Sequence, residues 1–246
     1  MKFRSKRLLA ITATVGLVSL YAGTAGAEPI TGTVNISGSV AVGATTIDFQ
    51  PPIGPPNGAF VVSDTGNTGS FASLNNTAGL ILDLDETKQT PGLPFATLTG
   101  FVTFAAAPNI RFDLTSIDPG NFTSANCFVP PAAGQTCTPP GFSNGAANPF
   151  DLVNTSATTS TASLTVRGNA VNTSTGETDQ YIGILTTQFT IPYQMLLSEV
   201  QSGQVATSYS GTFTVNAVPE PASFFLFGSS LIGIAALCRY ARKRVS

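Results

Sequence analysis

Three clustered carboxylates and two cysteines are the side chains of this chain best suited to chemistry. Asp83, Asp85 and Glu86 form its densest acidic group, and glycoside hydrolysis needs only two carboxyl groups, one protonated and one ionised. Alternation along a strand that ends near Leu84 puts Asp83 and Asp85 on one side, where solvent or Ca²⁺ would relieve their repulsion. A solvated strand end, with Lys88 neutralising part of it from the adjoining turn, is the simpler reading, because no EF-hand or RTX-like repeat supports an ion. The chain contains no histidine, which removes the commonest general base and the Ser-His-Asp and Cys-His arrangements with it. No nucleophile elbow, P-loop or dinucleotide fingerprint occurs. The expectation is a non-enzyme with no catalytic residue, no cofactor and no metal.

Cys127 and Cys137 lie in residues 121–149, a stretch that holds Pro130-Pro131, Pro139-Pro140 and Pro149 and few strand formers. That composition reads as a long surface loop. In an oxidising exterior the two cysteines read as a disulfide that closes a small ring, contributes about 2 to 3 kcal/mol and acts only within its loop. A metal site is the rival reading, weakened by the lack of histidine.

The two ends of the chain place this region outside the cell. Lys2, Arg4, Lys6 and Arg7 precede an apolar stretch, residues 8–20, and the small residues Ala25-Gly26-Ala27 come just before Glu28. This is the layout of a signal peptide, residues 1–27, with Ala25 and Ala27 marking the signal-peptidase site. The basic pair is Lys6-Arg7 rather than two arginines, which points to the Sec translocon. At the other end stand Val218-Pro219-Glu220-Pro221, an uncharged apolar run at residues 222–237, and then Arg239, Arg242, Lys243 and Arg244. At about 1.5 Å per residue the run spans roughly 24 Å, so a transmembrane helix at residues 222–238 needs snorkelling arginines or local thinning to cross a ~30 Å core. The basic cluster acts as a stop-transfer signal and keeps that end in the cytoplasm, which leaves everything before Pro219 outside. Cys238, at the inner end of the run, reads as a packing residue.

Motif, apolar run and basic tail, in this order over residues 218–246, resemble the PEP-CTERM sorting signal of bacteria. The resemblance implies an exosortase, an integral-membrane cysteine peptidase or transpeptidase, as processing partner, with Pro219, Glu220 and Pro221 as its motif. It also implies a cell-surface or extracellular-matrix protein associated with exopolysaccharide and biofilm. Such a protein is first a single-pass inner-membrane protein with its C-terminus in the cytoplasm, then processed and released or attached at the cell surface. Two other readings stay open: a glycan-binding adhesin on a lectin-like sandwich, and a secreted hydrolase using two carboxylates.

The exported part, residues 28–217, is the element that must carry any activity. From residue 28 to residue 220 the only cations are Lys88, Arg111 and Arg167, against 13 carboxylates, a net charge of −10. Nucleic acid and anionic headgroups are excluded as partners on that balance. Gly, Thr, Ser, Asn and Pro dominate, no long 3.6-residue period occurs, and residues 205–215 alternate strictly, so the region reads as all-β. Val34, Ile36, Val40 and Val42 repeat the alternation, broken by Gly38. Further strands are expected at residues 59–62, 69–74, 80–84, 98–104, 110–117, 162–171 and 181–190. About eight to ten strands of this kind suggest an antiparallel β-sandwich, jelly-roll-like or Ig-like. One short helix is expected where Pro192 opens it, Met195, Leu196 and Val200 form its apolar stripe and Gly203 ends it.

Overall fold

The computed structural model describes residues 28–50, 57–141 and 145–217. Its strands are β1 (Gly32–Val42), β2 (Thr46–Gln50), β3 (Asn57–Val62), β4 (Ala78–Leu82), β5 (Leu84–Asp85), β6 (Leu98–Phe104), β7 (Ala107–Ile117), β8 (Thr136–Cys137), β9 (Asp151–Asn154), β10 (Ser160–Asn172), β11 (Thr178–Phe189) and β12 (Val205–Asn216). One helix, α1 (Tyr193–Ser202), joins β11 to β12.

Among the described residues the all-β class and the single short helix are as expected, but the sandwich is not. Among the described residues eight strands run in the order β1-β3-β4-β6-β7-β10-β11-β12, and β12 pairs back onto β1, so the sheet closes as a barrel. Closure removes the free edges that a sandwich leaves.

A narrow barrel has little room inside, and the sequence meets this by setting glycines opposite rings. In the register of neighbouring strands Gly38 faces Tyr209, Gly168 faces Tyr181, Gly183 faces Phe213 and Gly79 faces Phe60. Each ring lies across the space its glycine leaves, and small beside large is how such interiors are filled. The break that Gly38 makes in the apolar pattern of β1 is therefore a packing device. Phe112 stands at the centre of the core, with ring centroids at 5.6 Å from Phe71, 5.5 Å from Phe104, 4.8 Å from Tyr181 and 5.5 Å from Phe213.

Residues 69–74, expected as a strand, instead begin with a 3-10 turn at Gly69–Phe71. Gly69 has φ +58°, a left-handed conformation that ends extended pairing and turns Phe71 into the barrel, where it is fully buried. Ser70 N donates to Thr31 O at 2.8 Å, and Thr68 N donates to Thr33 O at 2.9 Å, tying this plug to the start of β1. The strand expected at residues 80–84 is split into β4 and β5, because Asp83 turns aside to accept the Phe49 amide at 2.8 Å.

The helix also differs in detail. Pro192 sits before the first helical residue, in an extended conformation (φ −69°, ψ 153°), and the helix buries Tyr193 and Leu196 while leaving Met195 52 % exposed. The apolar stripe is thus shifted by one side chain from the one expected, with Tyr193 taking the place of Met195. No helix among the described residues is long and apolar enough to cross a membrane. Ala25 and Ala27, expected at the signal-peptidase site, and residues 222–238, expected as a transmembrane helix, lie outside the described residues.

Candidate functional site at the two poles of the barrel

The strand register gives the barrel two unlike ends. Gly32 pairs with Val215 and Gln180 pairs with Asn216, so the chain enters and leaves at one pole. There the amide of Ile30 donates to the buried carboxylate of Asp179 at 2.7 Å, and Phe71 plugs the interior. Only Ala217 and Val218 separate the last strand from Pro219, a distance that a fully extended chain covers in about 10 Å. Pro219, Glu220 and Pro221, and the basic residues Arg239, Arg242, Lys243 and Arg244, lie outside the described residues.

At the opposite pole the barrel opens. The edge of β1 is handed from β3, at Ile36 to Gly38, to β2, at Ser39 to Val42. The edge of β10 is likewise handed from β7 to β9, which carries β8 with it. Between these departing strands lies a cavity of about 100 Å³, lined by apolar groups that include Phe49, Phe150, Leu164, Leu185 and Tyr209, with Val200 reaching it from α1. Tyr209 is 4 % exposed, and its hydroxyl is buried with no hydrogen-bond partner. Burial pushes its phenol well above the ordinary value. An unpaired buried hydroxyl costs stability, so Tyr209→Phe is expected to stabilise the fold by about 1 kcal/mol and raise the urea midpoint. A lowered midpoint would show that the hydroxyl has a partner.

Cys127 and Cys137 are joined as expected, with Cα atoms 5.2 Å apart. Their surroundings correct the surface-loop reading, for both are fully buried in a second small core with Leu152, Phe189, Tyr193 and Leu196. Two polar hubs that the sequence does not announce hold this core to the barrel. Asn154 on β9 is fully buried; its Oδ1 accepts the Tyr193 amide at 2.9 Å, capping α1, and its Nδ2 donates to Gln194 Oε1 at 3.0 Å. Asp151 Oδ1 accepts from Asn121 N at 2.7 Å and from the Thr138 hydroxyl at 2.8 Å, while Oδ2 accepts from Asn121 Nδ2 at 3.0 Å. Burial works to raise the Asp151 pKa, but the bonds from Thr138, Asn121 and Phe122 together hold it below the ordinary carboxylate value. The tie therefore persists through neutral pH and is lost only as pH falls through that lowered value.

The bridge thus has a wider reach than one loop. Breaking it by Cys137→Ser is expected to cost about 2 to 3 kcal/mol and to raise amide exchange in residues 121–140 and in α1, while β1 and β10 to β12 stay protected. Exchange that rises equally through the barrel would reject this division.

The carboxylate cluster is divided among local partners. Asp83 serves β2 through the Phe49 amide, and burial, partly offset by that bond and reinforced by Asp48, raises its pKa. Asp85 accepts from the Thr87 hydroxyl at 2.7 Å and the Thr87 amide at 2.9 Å, which together hold its pKa down, with Lys88 Nζ at 3.7 Å. Burial, with Asp85 adding to it, raises Glu86. Among the described residues no group of three or more metal-ligating side chains is assembled.

Comparison with curated proteins and with solved structures returned no match. Residues 217–243 match the family model of the PEP-CTERM protein-sorting motif, beginning one residue beyond the last barrel strand. That motif implies export, membrane passage and processing by an exosortase, and this chain carries it at residues 217–243, directly after a closed β-barrel.

Proposed function

We propose that the barrel is a non-catalytic cell-surface or matrix protein. It is exported through Sec, held by a helix at residues 222–238, processed by an exosortase at Pro219-Glu220-Pro221, and retained among exopolysaccharide. The observation that carries this reading is the sorting motif attached directly to a pole of the barrel. The opposite pole, with α1 and the disulfide core, then points away from the membrane while the chain is anchored.

The outer wall suits a hydrated, neutral matrix. Asn35 stands beside Thr212, Ser37 beside Ser210 and Ser39 beside Ser208 on adjoining strands, a face of amides and hydroxyls without cations. Its many weak hydrogen bonds favour retention in polysaccharide, and the same face supports the alternative of a glycan-binding adhesin. A glycan array separates the two, since selective, saturable binding to one glycan supports the adhesin and uniform weak retention supports the matrix protein. Turnover in a broad glycosidase and esterase screen, abolished in Asp83→Asn/Asp85→Asn, would overturn the non-catalytic reading.

Every barrel pairing lies within residues 32–216. The fragment 28–217, exported to an oxidising compartment, is therefore expected to be soluble and to unfold in one cooperative urea transition. An insoluble or molten fragment would show that the sorting segment takes part in folding.

A further inference from the structure

We infer that the cavity at the open pole is a binding site for the apolar end, about four or five carbons long, of a neutral molecule. Its existence follows from the topology, because two pairs of strands diverge there and α1 lines one side of the space between them with Leu196, Leu197 and Val200. Well-packed interiors rarely keep voids larger than a water molecule, and this one, open to solvent on one side, has an almost wholly apolar lining that gains contacts when an apolar group fills it. A volume of about 100 Å³ bounds the part of the guest that enters, given that roughly 150 Å³ accommodates benzene.

Charge is excluded by the lining. No Asp, Glu, Lys or Arg among the described residues lines the cavity, and the three Lys and Arg side chains among the described residues are engaged with carboxylates: Arg111 with Asp113, Arg167 with Asp118, Lys88 with Asp85. A carboxylate or ammonium entering it would lose its hydration without a counter-charge. Half-buried Asn148 and Thr187 also belong to the lining; Asn148 Oδ1 accepts the Phe150 amide at 3.1 Å and the Thr187 hydroxyl donates to Ala162 O at 3.5 Å, which leaves the Asn148 amide group and the Thr187 hydroxyl oxygen for one uncharged polar group on the guest. The expected ligand class is a short-chain alcohol, ester or ketone, or the corresponding end of a larger neutral molecule. This site is independent of the sorting reading, since it stands at the pole away from where the chain enters and leaves the barrel.

The test uses the mature protein purified from cells that export it, with methyl NMR as the readout and n-pentanol and pentanoate as probes. Pentanol is expected to shift the methyl groups of Val40, Leu164 and Leu185 saturably, leaving those of Ile81 in place, and to bind at least tenfold more tightly than pentanoate. Ala162→Leu, which fills the cavity from β10, is expected to weaken pentanol at least tenfold with the remaining spectrum unchanged. Should that variant lose its dispersed spectrum, Val200→Phe fills the same space from α1 and is held to the same outcome. Non-saturable shifts, equal affinity for pentanoate, or undiminished affinity in a folded filled variant would each reduce the cavity to a packing void and overturn the inference.

Discussion

Glu220→Ala leaves the protein at full length and retained in the inner membrane of its native host. Glu220 lies between Pro219 and Pro221, and proline both fixes its own backbone and pushes the residue before it toward an extended conformation. An extended segment presents its backbone to a peptidase groove, where the one charged side chain of the motif supplies the selectivity. The last barrel strand ends at Asn216 and the barrel pairings close within residues 32–216, four residues before Glu220. The variant is therefore expected to keep the wild-type urea midpoint while its processed fraction falls at least tenfold. Fractionation and immunoblotting from the native host read both species, and normal release of the variant would argue against exosortase processing at this motif.

Gly168→Val unfolds the barrel. A Cβ at residue 168 meets the backbone oxygen of Asp113 on β7 and stands 2.8 Å from Cε1 of Tyr181. Neither can yield cheaply, since the oxygen belongs to a paired strand and the Tyr181 ring stacks on Phe112 at 4.8 Å. Overpacking against side chains typically costs 1 to 3 kcal/mol, and a clash with a backbone atom adds to that, so a loss above ~3 kcal/mol is expected out of a total of roughly 5 to 15. Gly203→Ala is the control: a Cβ there meets nothing within 4 Å and the residue has an extended φ of 172°, so the change should stay within about 0.5 kcal/mol. Urea midpoints of the two variants in the 28–217 fragment check the contrast. A stable Gly168→Val protein would mean that the barrel interior is looser than the glycine–ring register requires.

Much of the strand pattern is legible because alternation is local. In β10, β11, β12 and β1 buried and exposed residues follow one another with period two, and these strands stand where the alternation places them. Closure is not legible from alternation, which reads the same in a sandwich and in a barrel. The available signal was the glycines at inward positions, Gly38, Gly168, Gly183 and Gly211, each costing a strand some stability unless a ring covers it. Residues 69–74 carried strand-like composition, but Gly69 in a left-handed conformation turned them into a plug. The cysteines were legible as a pair, yet their burial was not: the partners that cover them, Tyr193 and Leu196, are distant in sequence and are brought there by Asn154. The cavity depends on where four strands part company, which no short window records. The sorting motif, by contrast, is read from contiguous residues and needs no tertiary context.

The most direct measurement of the whole account is the intact mass of the mature protein isolated from its native host. Loss of residues 1–27, one disulfide, and an end at or next to Pro219-Glu220-Pro221, with or without an added group, is the expected result. A mass that still includes residues 222–246 would contradict exosortase processing, and with it the view that this barrel is delivered to the cell surface by its sorting motif.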